Sequence, residues 1–166
     1  MIEPLVIGLG GNVGTEAELV ERFGRAREAL GRLGPLRSAP LYRSAAIGPA
    51  QAAYLNSAVR VQLADAQPAE LVATVLELER LLGRDRRGEV RWGPRVIDLD
   101  VLVWGERVIR TPELEVPHPR LAERRFALEP VVALLGETFA VAGMGLASEL
   151  LARVRGQVVE QLAESW

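Results

Sequence analysis

The sequence predicts an α+β fold: a ferredoxin-like βαββαβ antiparallel sheet, helices packed on it, and a C-terminal extension. Three observations carry this. Short apolar or alternating runs mark strands, apolar stripes at helical spacing mark long helices, and the two kinds follow one another as strand, helix, strand, strand, helix, strand. The length of 166 residues, with 49% hydrophobic and 25% charged, suits one domain spanning residues 1–166.

Leu5 to Leu9 is an apolar run ending at glycines, a buried first strand. Thr15-Glu16-Ala17-Glu18 forms a capping box that opens a helix. Leu19, Phe23, Ala26, Leu30 and Leu33 share its inner face, and Gly34-Pro35 ends it. Leu36 to Tyr42 reads as the second strand, and Arg43 to Ala53 as a loop rich in Ala, Gly and Pro. Tyr54 to Leu63 reads as a half-buried antiparallel strand, with Val59, Val61 and Leu63 inward and Arg60 and Gln62 outward. Pro68 suits the first helical position, and Leu71, Val75, Leu78 and Leu82 make the second helical stripe. Gly83 to Pro94 is a polar loop dense in Arg. Val96 to Trp104 is a strand that Gly105-Glu106 turns into a hairpin with Arg107 to Arg110. Phe126 to Leu135 is helical, and short helices finish the chain. This order puts the helices on one sheet face and leaves the other to loops, the tail or a ligand.

Several chemistries are excluded. Lys is absent, so all 20 basic residues are Arg. A Walker A loop, a Schiff base and protein-kinase chemistry each need a Lys. Any phosphate is therefore held by Arg, backbone N–H groups or a metal. His118 is the one histidine, which rules out a poly-His metal site. No cysteine is present, which removes disulfides and thiolate chemistry and fits a reducing, cytoplasmic setting. The net charge is −2 without a basic block, so neither nucleic acid nor membrane is an expected partner. The start, MIEPLVIGLGG, lacks a basic n-region and reads as a strand, not a signal peptide. No stretch reaches the roughly 20 apolar residues of a membrane span.

The strongest chemical signal is Asp98-Leu99-Asp100. Residues two apart on a strand point the same way, so both carboxylates share a face, with Leu99, Val101 and Val103 on the other. Two such carboxylates repel unless a cation sits between them, and hard oxygen ligands suit Mg²⁺ with substrate phosphates. Arg84, Arg86, Arg87, Arg91 and Arg95 lie just upstream. Arg forks bind phosphate oxygens in bidentate fashion, and Arg95, between Gly93-Pro94 and the strand, is the best placed. Gly8 to Gly14 fails the dinucleotide fingerprint, because Val13 stands where that pattern needs Gly. Asn56, beside Tyr54, offers donors and an acceptor to a heterocycle's amide-like edge. Glu79 reads by default as a surface-leaning helix residue. His118, between prolines and shortly before Arg124 and Phe126, is within reach of a phosphate site. These residues point to a Mg²⁺-dependent transferase acting on ATP. Two other classes remain open on the residues alone: another metal-dependent nucleotidyl or phosphoryl transferase, and a non-catalytic binding module. The 5% aromatic content weighs against an RNA-binding sheet face.

With those residues in view, the sequence resembles the 6-hydroxymethyl-7,8-dihydropterin pyrophosphokinases of folate biosynthesis. The matches are IGLGGNVG, Tyr42-Arg43, Ile47-Gly48-Pro49, Tyr54-Leu55-Asn56, Gly83-Arg84, the RWGPRVIDLDVL block and Val116-Pro117-His118. The resemblance implies transfer of the ATP β,γ-diphosphate to the pterin's hydroxymethyl oxygen, with release of AMP. It implies two Mg²⁺ ions on Asp98 and Asp100, and a catalytic set of Arg86, Arg95, Asp98 and Asp100. Glu79, Arg84, Arg86, Trp92, Arg95, His118 and Arg124 would line the ATP. Asn56 would read the pterin edge, Tyr54 and Phe126 would stack on its ring, and main-chain groups around Ser44, Ala45 and Ile47 would complete that pocket. The chain departs from the family at Leu76, where some members have a polar residue, and at Glu113, where some have Arg. Ala45-Ala46 replaces a Pro-rich pair, and the Arg loop carries one extra residue.

Overall fold

The computed structural model describes residues 2–166. Its sheet is centred on β1 (Ile2–Gly11), flanked antiparallel by β4 (Tyr54–Ala64) and β5 (Asp98–Trp104). Outside β4 lies β3 (Leu41–Ser44), while β2 (Leu36–Ser38) pairs farther along β4. A last strand, β10 (Val159–Ala163), pairs with β3, giving the order β10-β3-β4-β1-β5. Without β10 this is the antiparallel order expected of a split βαβ pair.

Alternation along β1 divides the interior in two. Leu5, Ile7 and Leu9 point to a face covered by α1 (Glu16–Leu30) and α2 (Pro68–Leu81). The capping box is present: the Thr15 hydroxyl accepts from the Glu18 backbone N–H, and the Glu18 carboxylate accepts from that of Thr15. Phe23 and Leu30 of α1 and Val75 of α2 bury against Val59, Val61 and Val101 of the sheet. Val6 points the other way, into a second cluster under α3 (Arg125–Leu135) and α4 (Ala147–Arg153). Helices therefore cover both faces, not the one face the sequence suggested. The second face is only partly covered, and its open end holds the site described below.

Other sequence expectations change in detail. The segment expected as one strand from Leu36 to Tyr42 is broken at Ala39-Pro40, where Pro has no N–H for the ladder. The hairpin expected after Trp104 does not form with β5. Instead β6 (Ile109–Arg110) pairs with β7 (Glu115–Val116). A second small pair, β8 (Ala140–Val141) with β9 (Gly145–Leu146), precedes α4. The tail ends in strand β10, not in helix. Trp166 then anchors it: its indole N–H donates to the Ala39 carbonyl at 2.9 Å, and its ring meets Phe23 edge-on at 5.8 Å.

One irregularity lies just past the carboxylate pair on β5. The β1–β5 register shifts between Val6, opposite Val103, and Ile7, opposite Val101, so Leu102 is an extra residue in β5. This bulge turns Val103 into the second core, opposite to the alternation expected from sequence. Asp98 and Asp100, paired in regular register with Gly10 and Gly8, share their face with Leu102, while beyond the bulge Trp104 returns to the first core.

Gly11, at the end of β1, allows a close approach: a Cβ there would lie 2.9 Å from both Leu19 Cδ2 and the Val96 carbonyl oxygen. Gly11→Ala is expected to destabilise the protein by about 1–3 kcal/mol. Gly24→Ala, on α1 with nothing within 4 Å of the new methyl, should be neutral or stabilising by about 0.5–1 kcal/mol. Thermal unfolding of the two variants checks this opposition of sign.

Candidate active site

The floor of the site is a stretch of sheet without side chains. Gly8 lies opposite Asp100, and Gly10 lies between Asp98 and Asn56. A Cβ on Gly8 would press on Leu102 at 3.1 Å. Around this floor is a cavity of about 280 Å³, reached by Ser44, Tyr54, Asn56, Asp98, Asp100 and Phe126, among others. The Asn56 amide N–H donates to Ser44 Oγ at 2.7 Å, and both residues are buried. That bond fixes the amide's orientation and leaves Oδ1 beside Gly10 as an acceptor. The Tyr54 hydroxyl donates to the Gly93 carbonyl at 2.8 Å, which holds the ring against the Arg-rich loop.

Carboxylates and arginines form the opposite wall. Asp98 pairs with Arg84 at 2.7 Å and more loosely with Arg95 at 3.9 Å. Asp100 forms no ion pair among the described residues. Burial, reinforced by the neighbouring Asp100, pushes Asp98 up to about 6. Burial raises Asp100 as well, and the positive field of Arg124 offsets only part of it. Glu79, far from being a surface residue, is 3% exposed and pairs with Arg84 and Arg86. Its burial raises it to about 6 despite those arginines.

Asn12 ties the surrounding loops together. Its backbone N–H donates to the Arg95 carbonyl and its Oδ1 accepts from the Arg95 N–H, both at 2.9 Å. Its amide N–H groups donate to Gln51 Oε1 and the Ala52 carbonyl, each at 2.9 Å. Gln51 in turn donates to the Trp92 carbonyl at 2.7 Å. One buried amide thus joins the β1–α1 turn, the loop before β4 and the Arg-rich loop. Trp92 adopts a left-handed backbone, φ 63°, and its ring lies under the guanidinium groups of Arg120 and Arg124, 4.4 and 5.7 Å from the centroid.

A second cavity of about 350 Å³ opens between α2 and the segment from Thr111 to Pro119. Val72, Val75, Leu76 and Val101 give it apolar walls, and Glu79, Arg86 and Glu113 line it too. Asp100 and His118 line both cavities, so the two spaces meet there. His118 Nδ1 accepts from the Arg120 backbone N–H at 3.1 Å, so the neutral ring carries its proton on Nε2. Burial, then the fields of Arg124 and Arg120, push His118 down to about 4.

Residues 6–136 match the model of a family described as 7,8-dihydro-6-hydroxymethylpterin-pyrophosphokinase. The chain belongs to this pyrophosphokinase family. It is 32% identical over 162 residues to a 2-amino-4-hydroxy-6-hydroxymethyldihydropteridine pyrophosphokinase of Pseudomonas aeruginosa, covering 98% of each chain. A pyrophosphokinase of Synechocystis sp. is 34% identical, with 78% of this chain covering 65% of that one. The mitochondrial folate synthesis bifunctional protein of Pisum sativum is 40% identical, but the match spans only 25% of its length. The fold also matches a Plasmodium falciparum HPPK-DHPS crystal structure with pterin and p-hydroxybenzoate at a TM-score of 0.69 and 13% identity, over 92% of this chain and 43% of that one. The pyrophosphokinase reaction, pyrophosphoryl transfer from ATP to hydroxymethyldihydropterin in folate biosynthesis, is this chain's activity. That sets aside the other transferase and binding-module classes left open by the residues alone.

Every residue given a site role by the family resemblance lines one of the two cavities, whereas Arg87 and Arg91 of the Arg-rich segment line neither, and Arg87 pairs with Asp85 in solvent. Ser44, Ala45, Ile47, Tyr54, Asn56, Arg84, Trp92, Arg95, Asp98, Asp100, His118, Arg124 and Phe126 face the first. Glu79 and Arg86 face the second, which Asp100 and His118 share. Sequence reasoning missed Asn12, Gln51, Glu89 and Arg120, as well as the apolar wall of the second cavity. Asn12 sat in plain view after two glycines, but nothing local signals that an amide there is buried. No helix among the described residues is long and apolar enough to cross a membrane.

The lowered His118 has a consequence for stability. Between pH 6.5 and about 4 the unfolded chain takes up a proton there while the native ring stays neutral, so acidification costs native stability through this residue. Wild type should therefore lose Tm relative to His118→Gln as pH falls from 7 to 4. Parallel thermal melts across that range check the sign.

Proposed function

We propose that the dihydropterin occupies the glycine-floored cavity and that ATP lies along the second, with the diphosphate passing between them beside Asp100 and His118. The single observation that carries this reading is the shared boundary. Two spaces, one floored by glycines and one apolar-walled, have Asp100 and His118 in common, with arginines in both linings. In the first, Asn56 Oδ1 accepts from the amino edge of the pterin, main-chain groups near Ala45 and Ile47 complete the rim, and Tyr54 and Phe126 flank the ring. In the second, Val72, Val75 and Leu76 cover the adenine.

Between them, Arg84, Arg86, Arg95 and Arg124 hold phosphate oxygens as charge-assisted donors, and Trp92 backs that wall. Glu79 positions Arg84 and Arg86 from α2. The Nε2–H of His118 donates to a phosphate oxygen, which a neutral ring does without adding charge. The pterin hydroxyl attacks the β-phosphorus in line and AMP leaves. Alignment of nucleophile and phosphorus, with charge neutralisation, supplies most of the acceleration in such transfers.

The donor set also fits two Mg²⁺ ions. Asp98 and Asp100 are adjacent hard-oxygen ligands, Asp100 has no cationic partner, and no third acidic or His side chain joins them among the described residues. Two protein carboxylates plus phosphate oxygens and water is the usual Mg²⁺ pattern. Bound there, the ions would neutralise the triphosphate oxygens and polarise them for transfer. The strand β10 joining the sheet supports assigning residues 1–166 to one catalytic domain, and the cysteine-free composition suits a cytoplasmic setting.

With ATP, Mg²⁺ and 6-hydroxymethyl-7,8-dihydropterin the protein should form AMP and the pterin diphosphate in equal amounts. Asp98→Asn should keep its circular dichroism spectrum and lose at least about 100-fold in turnover. Near-normal turnover in that variant would refute the metal role, and ADP in place of AMP would refute the diphosphate transfer.

A further inference from the structure

Glu89 stands apart from the other charged groups of the Arg-rich loop. Its carboxylate lies between two guanidinium groups: Arg84 Nε is 3.1 and 3.3 Å from its oxygens, and Arg95 Nε is 3.1 Å away. The side chains are 9%, 17% and 14% exposed for Arg84, Glu89 and Arg95, so the trio is largely out of water. Both arginines also have partners other than Glu89. Arg84 is gripped by Glu79 of α2 and Asp98 of β5, and Arg95 donates to the carbonyls of Val90, Gly93 and Pro94. The Glu89 carboxylate has no other side-chain partner among the described residues. It sits outside any helix or strand, and its backbone N–H makes only a 3.4 Å turn contact with the Arg86 carbonyl. Removing it would leave both guanidinium groups tethered, whereas moving Arg84 would break contacts to α2 and β5 and moving Arg95 would break its bonds to three backbone carbonyls.

A carboxylate presents two oxygens to an arginine much as a phosphate does. We propose that Glu89 is a resident substitute for an ATP phosphate. In the nucleotide-free enzyme it fills the anion position between Arg84 and Arg95 and keeps both guanidinium groups oriented. An arriving triphosphate, which cannot share that position with a like charge, displaces it. Glu89 is thus a positioning residue whose contact is made in the empty enzyme and broken in the loaded one. The proposal rests on the reading of Arg84 and Arg95 as phosphate ligands.

The opposing roles separate in a titration. Calorimetry with inorganic tripolyphosphate, and with a non-hydrolysable ATP analogue plus Mg²⁺, compares wild type, Glu89→Gln and Asp85→Asn. Asp85 is an exposed loop carboxylate paired with Arg87 alone, so its variant makes the same charge change away from the trio. Glu89→Gln should bind both ligands about 3- to 10-fold more tightly than wild type, and Asp85→Asn should change affinity less. In the ligand-free protein, amide hydrogen exchange over residues 84–95 should be faster in Glu89→Gln. A purely structural Glu89 would give weaker binding in the variant, and that result, or affinities equal to those of Asp85→Asn, would overturn the proposal. Absence of tripolyphosphate binding by wild type would overturn the phosphate reading and the proposal together.

Discussion

Two carboxylates that point the same way from one strand, partly buried, cannot stay charged without cations near them. The Asp98–Asp100 pair sets that constraint, and much of the surrounding structure answers it. Arg84 and Arg95 compensate Asp98 directly, Glu79 and Glu89 hold those arginines, and Arg124 lies close enough to influence Asp100. The arrangement is incomplete at Asp100, which forms no ion pair among the described residues. That open valence faces the boundary of both cavities, where a metal-bound triphosphate would supply the missing charge.

The fold serves the pair by controlling which side chains reach the second sheet face. Gly8 and Gly10 clear the centre of it, their regular pairing with Asp100 and Asp98 turns both carboxylates onto it, and α3 closes the far end with apolar residues. What remains is a slot bounded by Asn56, Tyr54 and Phe126, with its charged wall to one side. The loops that shape the wall are tied to one another. Asn12 and Gln51 join them through hydrogen bonds of 2.7–2.9 Å, so a ligand that orders one loop acts on the others.

Much of this was legible in the chain itself. Period-two spacing placed the carboxylates on one face, and the Arg-rich segment expected to hold phosphate does bring Arg84 and Arg95 beside Asp98. The family block supplied the substrate. The bulge was not legible, because Leu102, Val103 and Trp104 are all apolar and no change of phase shows in such a run. Strand β10, Val-Glu-Gln-Leu-Ala, is short, polar and at a sheet edge, so its pairing comes from β3 and not from its own pattern. Glu79 looked like a surface residue because its partners arrive from a loop five and seven positions later. The break at Ala39-Pro40 was in plain view, since Pro cannot donate to a ladder, and the apolar run around it outweighed that signal.

The central claim is that the carboxylate pair and the arginines form one charge-balanced receptor for a metal-bound triphosphate. Equilibrium binding of a non-hydrolysable ATP analogue, measured with Mg²⁺ and again in excess chelator, tests it most directly. The account predicts affinity at least about 100-fold lower without the metal, because two carboxylates would then face bare phosphates. Equal affinity in both conditions would contradict it.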